Sequence, residues 1–222
     1  MRLISFLLFV SLSVCAAAAP GGAPAETTAE KKPVILVLGD SLSAAYGMEI
    51  NQSWPSLLQA RLEQNGYAYR VFNSSITGDT TQGGLARLPR LLKKHQPDIV
   101  IIELGGNDGL RGLPVAVTRS NLASMIEKSE AVGASVILAE MRIPPNYGLT
   151  YTEQFNANYT LLAEQHDITL LPFVLQDIAL EDGLMQADGI HPTAEAQPVI
   201  MEQVWPYLLP LLPQSPASQE QG

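Results

Sequence analysis

Five apolar residues, Val34 to Leu38, run without a polar break and stop at Gly39-Asp40-Ser41. A strand that is apolar at every position suits a parallel sheet covered by helices on both faces. Gly39, Asp40 and Ser41 put small and polar groups at the strand's carboxyl end, where open α/β sheets bind ligands. At this point Ser41 has two readings. It is an exposed nucleophile, or it is the N-cap of the next helix, a position serine favours.

The rest of the chain repeats that pattern. Strands are expected at Tyr69–Asn73, Asp98–Leu104, Ser135–Met141 and Ile168–Phe173. Helices are expected between them. Ser53–Gly66 carries Leu57, Leu58 and Leu62 on one face behind Pro55 in the first turn. Asp79–His95 carries Leu85, Leu88, Leu91 and Leu92, with Pro89 predicting a kink or a late start. Pro114–Val132 and Tyr151–His166 follow, and a proline-interrupted helix runs from Pro192 to about Leu209. His95 and His166 end helices, where a cation is favourable. Gly105 to Gly109 and Ile143 to Thr150 read as loops.

Alternating strands and helices predict a three-layer α/β/α sandwich with a five-stranded parallel sheet. Right-handed crossovers favour the flavodoxin-like order 2-1-3-4-5. That order sets the ends of the first and third strands on either side of the switch point, so Ser41 and Asn107 face one crevice.

The chain has 222 residues, enough for one domain with a large core, expected over residues 33–210. Its net charge of −9 excludes a nucleic-acid surface, which needs clustered Lys and Arg. Arg87, Arg90, Lys93 and Lys94 form the densest basic group and read as the solvated face of one helix. Residues 1–18 read as a secretory signal peptide: Met-Arg, a short apolar run from Leu3 to Val14, then small residues. A Pro-, Gly- and Ala-rich leader occupies 19–32, and a Gln- and Ser-rich tail 211–222. No apolar run is long enough to span a bilayer. Cys15 is the only cysteine, and Leu12-Ser13-Val14-Cys15 offers a second reading as a lipidation site. With no thiol in the mature chain and three scattered histidines, no metal site and no cofactor are expected.

Four loops predicted at the carboxyl side of the sheet carry the polar groups that acyl transfer requires. A serine hydroxyl is a weak nucleophile and needs a base. His191 supplies one if its other ring nitrogen is held by a carboxylate, and Asp188 lies three residues earlier in a Gly-containing turn. The oxyanion needs donors, and the backbone N–H groups of Ser41 and Gly78 with the side-chain amide of Asn107 supply three. Asp40 either caps the turn after the first strand or orients Ser41. Asp79 and Asp108 read as turn or cap residues.

Gly39-Asp40-Ser41-Leu42-Ser43, Gly78, Gly105-Gly106-Asn107-Asp108 and Asp188-Gly189-Ile190-His191-Pro192 together resemble the four blocks of the SGNH (GDSL) hydrolases, over about Val34 to Leu209. The resemblance implies that Ser41 is the nucleophile, that Asp188 and His191 complete the triad, and that Gly78 and Asn107 complete the oxyanion hole. It implies hydrolysis of small-molecule acyl esters and thioesters, including aryl esters, acyl-CoA and lysophospholipids. A monomer is expected, and the signal peptide makes it periplasmic or secreted, with anchoring through Cys15 as the alternative. Leu110, Leu113, Pro145 and Tyr147, with Pro144 and Leu149, are candidates for an apolar rim around the acyl chain. Two rivals remain at this stage: a carbohydrate deacetylase, which wants a more polar rim, and a non-catalytic binding module, which has no use for the serine and histidine.

Overall fold

The computed structural model describes residues 32–213. The signal peptide, Cys15, most of the leader and nearly all of the tail expected above lie outside the described residues. Five strands form one parallel sheet: β1 (Val34–Gly39), β2 (Arg70–Asn73), β3 (Ile99–Glu103), β4 (Ser135–Ala139) and β5 (Thr169–Leu171), in the order β2-β1-β3-β4-β5. The helices are α1 (Trp54–Gln64), α2 (Thr81–His95), α3 (Gly106–Leu110), α4 (Val115–Glu130), α5 (Leu149–His166) and α6 (Gln197–Leu208).

The unbroken apolar runs sort by alternation. Ile35 and Val37 of β1, with Ile99 and Ile101 of β3, face Leu58 and Leu62 of α1 and Ile200 and Val204 of α6. Leu36 and Leu38, with Val100 and Ile102, face Leu88 of α2, Met125 of α4 and Phe155 of α5. Every one of these side chains is fully buried, because a strand's side chains alternate and here both sides meet a helix layer. Truncating such a residue, Leu36→Ala for instance, is expected to cost about 2–5 kcal/mol.

Several local expectations differ from the structure. Gly105–Gly109 is not a plain loop, since α3 starts at Gly106 behind Gly105, whose φ is +116°. A Cβ on Gly105 would come within 2.1 Å of the Tyr159 hydroxyl, so the turn into α3 depends on glycine. Leu149 starts α5 directly, shortening the loop before it. Helix α2 runs through Pro89 rather than starting there, and Pro89 lies on the exposed side. The last helix begins at Gln197, with Pro198 in its first turn, because Pro192 is taken into an antiparallel bridge with Met185. His95 is not a helix-end cation: its ring stacks on Phe72 with centroids 3.6 Å apart, and burial, aided by Lys94 and Arg70, pushes its pKa down. His166 pairs with Glu130 at 3.4 Å.

Candidate active site

The turn after β1 is shaped by close packing. A Cβ on Gly39 would lie 2.5 Å from Glu103 Oε2 and 2.9 Å from Ser43 Cβ, so only glycine lets β1 pass this point. Asp40 then organises the turn. Its Oδ1 accepts the Leu42 N–H at 3.1 Å, and its backbone carbonyl accepts from Ser43 and Ala44. Residues 41–47 form turns, and the next α-helix begins only at Trp54. Ser41 therefore caps no helix; the capping oxygen belongs to Asp40. Of the two roles left open for Asp40, the structure shows the turn cap; its Oδ2 accepts from Asn107 Nδ2 at 3.0 Å.

Ser41 Oγ faces His191 Nε2 at 2.9 Å. His191 Nδ1 meets Asp188 Oδ2 at 2.6 Å. Asp188 is positioned by its own loop: Oδ1 accepts the backbone N–H groups of Ile190 and His191 at 2.9 and 3.0 Å, across a turn in which Gly189 has φ +66°. The hydrogen bond from the imidazole, followed by those two N–H groups, lowers the Asp188 pKa to about 2. A carboxylate on Nδ1 holds the proton there and leaves the Nε2 lone pair facing the Ser41 hydroxyl. Tyr46 lies against the imidazole with ring centroids 4.2 Å apart. Gln186 ties the two loops together, donating to the carbonyls of Tyr46 and Pro192, each at 3.0 Å.

Donors gather at the same end of the sheet. Gly78 sits in a turn at φ +76°, and its carbonyl is held by Arg111 Nη2 at 2.9 Å. Among the described residues no acceptor engages the backbone N–H of Gly78 or of Ser41. Asn107, in the first turn of α3, commits one amide N–H to Asp40 and keeps the second. Asp108 accepts the N–H and the hydroxyl of Thr81 and so fixes the start of α2. Asp79 pairs with Arg87 at 2.8 Å.

Beside Ser41 and Asn107 opens a cavity of about 300 Å³ with a mostly apolar lining. Leu110 lines it, as do Leu42, Met141, Ile143, Pro144, Phe173, Leu175, Met185 and Ile190. Leu113, Pro145 and Tyr147 do not. Tyr147 instead donates its hydroxyl to the Leu110 carbonyl at 2.8 Å, and the Leu113 carbonyl accepts from Tyr151. Sequence reasoning missed Phe173, Leu175 and Met185, which lie in the irregular connection after β5. Apolar residues in a long non-helical segment were the available signal. Among the described residues no group of three or more His, Cys, Asp or Glu is arranged to hold a metal.

A parallel α/β sandwich with a serine, a histidine and a carboxylate in line at its carboxyl end has the geometry of a serine hydrolase. Residues 37–198 match the family described as GDSL-like Lipase/Acylhydrolase, and the chain belongs to that family. The esterase TesA of Pseudomonas aeruginosa is 54% identical over 178 residues, covering 80% of this chain and 89% of that protein. A solved structure described as that of TesA is also 54% identical, with a TM-score of 0.78, covering 81% of this chain and 99% of the other. An arylesterase of Vibrio mimicus is 48% identical, covering 91% of this chain and 94% of that protein. The thioesterase 1/protease 1/lysophospholipase L1 of Escherichia coli K12 is 43% identical, covering 94% and 93%.

Proposed function

We propose that the protein hydrolyses acyl esters and thioesters through an acyl-enzyme on Ser41. The observation that carries this is the line Ser41 Oγ, His191, Asp188, with contacts of 2.9 and 2.6 Å, opening onto an apolar cavity. His191 Nε2 takes the hydroxyl proton as Oγ bonds to the acyl carbonyl carbon. The carbonyl oxygen becomes an oxyanion held by the N–H groups of Ser41, Gly78 and Asn107. Collapse expels the alcohol or thiol, which leaves with the proton from the imidazolium. Water then repeats the sequence on the acyl-enzyme and releases the acid. Asp188 holds the ring in one tautomer and stabilises the imidazolium.

The cavity supports an acyl chain over an acetyl group on a sugar. Its volume lies at the lower end of small-molecule sites, and its walls are side chains such as Leu110, Ile143 and Leu175. The names of the relatives point to aryl esters, acyl thioesters and lysophospholipids as the substrates to try. Hydrolysis rates are to be profiled by chain length on p-nitrophenyl esters, acyl-CoA and lysophospholipids; a preference for acetylated sugars would overturn the acyl-chain reading. We further propose that the protein acts as a monomer after export. No helix among the described residues is long and apolar enough to cross a membrane. Mass spectrometry of the mature N-terminus separates signal cleavage after Ala18 from lipidation at Cys15.

A further inference from the structure

The reaction described above makes no use of Glu103. Its register partner in β1 is Gly39, so its side chain lies under the turn that carries Ser41. Glu103 and Asp40 are each only 2% exposed, and among the described residues neither forms an ion pair with Lys or Arg. Burying two carboxylates side by side without a counter-ion is prohibitive, so the pair must hold a proton.

The hydrogen bonds say where that proton sits. Glu103 Oε2 accepts the Ser43 hydroxyl at 2.6 Å and the Asp40 N–H at 3.3 Å. The Ser43 oxygen accepts the Trp54 indole N–H at 3.1 Å, and Glu103 Oε2 is the acceptor its hydroxyl meets among the described residues, so the hydroxyl proton goes to Glu103. Glu103 Oε1 is buried and meets no donor. The Asp40 carboxyl is the titratable neighbour of Glu103, and two carboxyl groups can bond to each other only if one of them keeps its proton. Asp40 already accepts the Leu42 N–H and the Asn107 amide, both of which favour its charged form. An ionised Glu103 would instead leave a charged oxygen unpaired in the core.

We infer that Glu103 is a neutral acid that donates its proton to Asp40, and that this donation fixes Asp40 as the acceptor that orients Asn107. The consequence follows from the inventory of donors. A carboxylate at Asp40 only accepts, so the Asn107 carboxamide must turn Nδ2 toward it, and its second N–H is left for the oxyanion. A protonated Asp40 could present O–H to the Asn107 oxygen, and the amide would flip. Glu103 is thus a positioning residue that acts through two others, and this role rests on the assignment of Asn107 as an oxyanion donor.

The groups that face the pair are consistent with one charge and one proton near neutrality. His191 faces Asp40 from the connection after β5 and favours its charge. Tyr159 of α5, its hydroxyl on the Leu104 carbonyl, lies near both carboxyls and also near Asp108. Arg87 of α2 reaches the Gly39 carbonyl at 3.3 Å. Burial raises the Asp40 pKa to about 6. Burial, reinforced by the neighbouring Asp40, raises that of Glu103 well above the ordinary carboxylate range.

Infrared difference spectroscopy of the full chain reads the proton directly. Wild type is expected to show the C=O stretch of a protonated, buried carboxylic acid at neutral pH, sensitive to D2O and lost in Glu103→Gln. Kinetics read its use. Glu103→Leu is expected to lower kcat by about 10- to 10²-fold with KM little changed. Glu103→Gln, whose amide N–H replaces the acid proton, recovers most of that loss. Wild-type kcat falls at high pH as Glu103 ionises, and Glu103→Gln removes that limb. Absence of the infrared band overturns the proposal, as does a Gln variant that loses as much kcat as the Leu variant. If Glu103→Leu does not fold, wild type and Glu103→Gln carry the test through the band and the alkaline limb. A band present while Asn107→Ala keeps full kcat refutes the positioning role through the oxyanion assignment, not through the protonation of Glu103.

Discussion

The two sides of the active site are built from different materials. Ser41 and Asn107 follow β1 and β3, adjacent strands whose side chains are buried on both faces, and their turns are buttressed by Asp40 and Glu103. Asp188 and His191 sit on a partly exposed turn in an irregular connection, and their geometry comes from hydrogen bonds within four residues plus the Gln186 tie. The nucleophile side is fixed by the core, and so shares the core's stability. The acid–base side is fixed by local contacts and is the kind of segment that can open at little global cost.

Breaking the chemistry on either side tests this most severely. Ser41→Ala is expected to lower kcat by about 10⁶-fold while the thermal midpoint stays near wild type, because among the described residues the removed hydroxyl hydrogen-bonds to His191 alone. Residual turnover near wild type would end the acyl-enzyme reading. Asp188→Asn is expected to lower kcat by about 10⁴-fold, since an amide can hold the imidazole in the wrong tautomer. Asn107→Ala comes third, at about 10²–10³-fold. It is also expected to loosen Asp40, so its stability effect, read by denaturant unfolding, should exceed that of Asp188→Asn if the two sides differ as described.

The order and type of the major elements were legible in the sequence because the strands are short apolar runs, closed by Gly39 in β1, Asn73 in β2 and Gly105 after β3, and each long helix keeps its 3.6-residue stripe. The same runs placed Ser41, Gly78 and Asn107 after successive strands, and the structure gathers them with Asp188 and His191 at one end of the sheet. Glu103 was passed over as one polar letter in Ile99–Glu103, although an acid in a strand buried on both faces needs a special partner. Helix α3 was missed because two glycines in five residues give no helical signal. The cavity wall from Phe173 to Met185 had only its apolar residues as a signal, since irregular backbone has no period from which to read a face.

Gln186 offers a milder break on the exposed side alone. Its amide holds the Tyr46 and His191 loops together, so Gln186→Ala is expected to lower kcat about tenfold or less through misplacement of the imidazole. An equal fall in Gln186→Ala activity toward short and long acyl chains would place the effect on His191 rather than on the cavity.

The finest contrast is in pH, because the carboxylates on the two sides shift in opposite directions. Asp188 is lowered to about 2 in the folded protein, by the His191 ring and two backbone N–H groups. A depressed acid stabilises the fold above its ordinary pKa of 3.8, and that stabilisation disappears as pH falls through about 2. Asp40 is raised to about 6 by burial. The folded state then binds more protons than the unfolded chain, so the stability tied to Asp40 is present at low pH and is lost as pH rises from about 4 through about 6. Unfolding midpoints are to be measured against pH in the Ser41→Ala background. The difference between that parent and Asp188→Asn is expected to hold from neutrality to the ordinary carboxylate range and vanish at the acid end. The difference between the parent and Asp40→Asn is expected to change over the interval from about 4 to about 6, with the Asn variant gaining relative stability as pH rises. Two differences with the same sign would mean that the buried turn and the exposed turn are held alike.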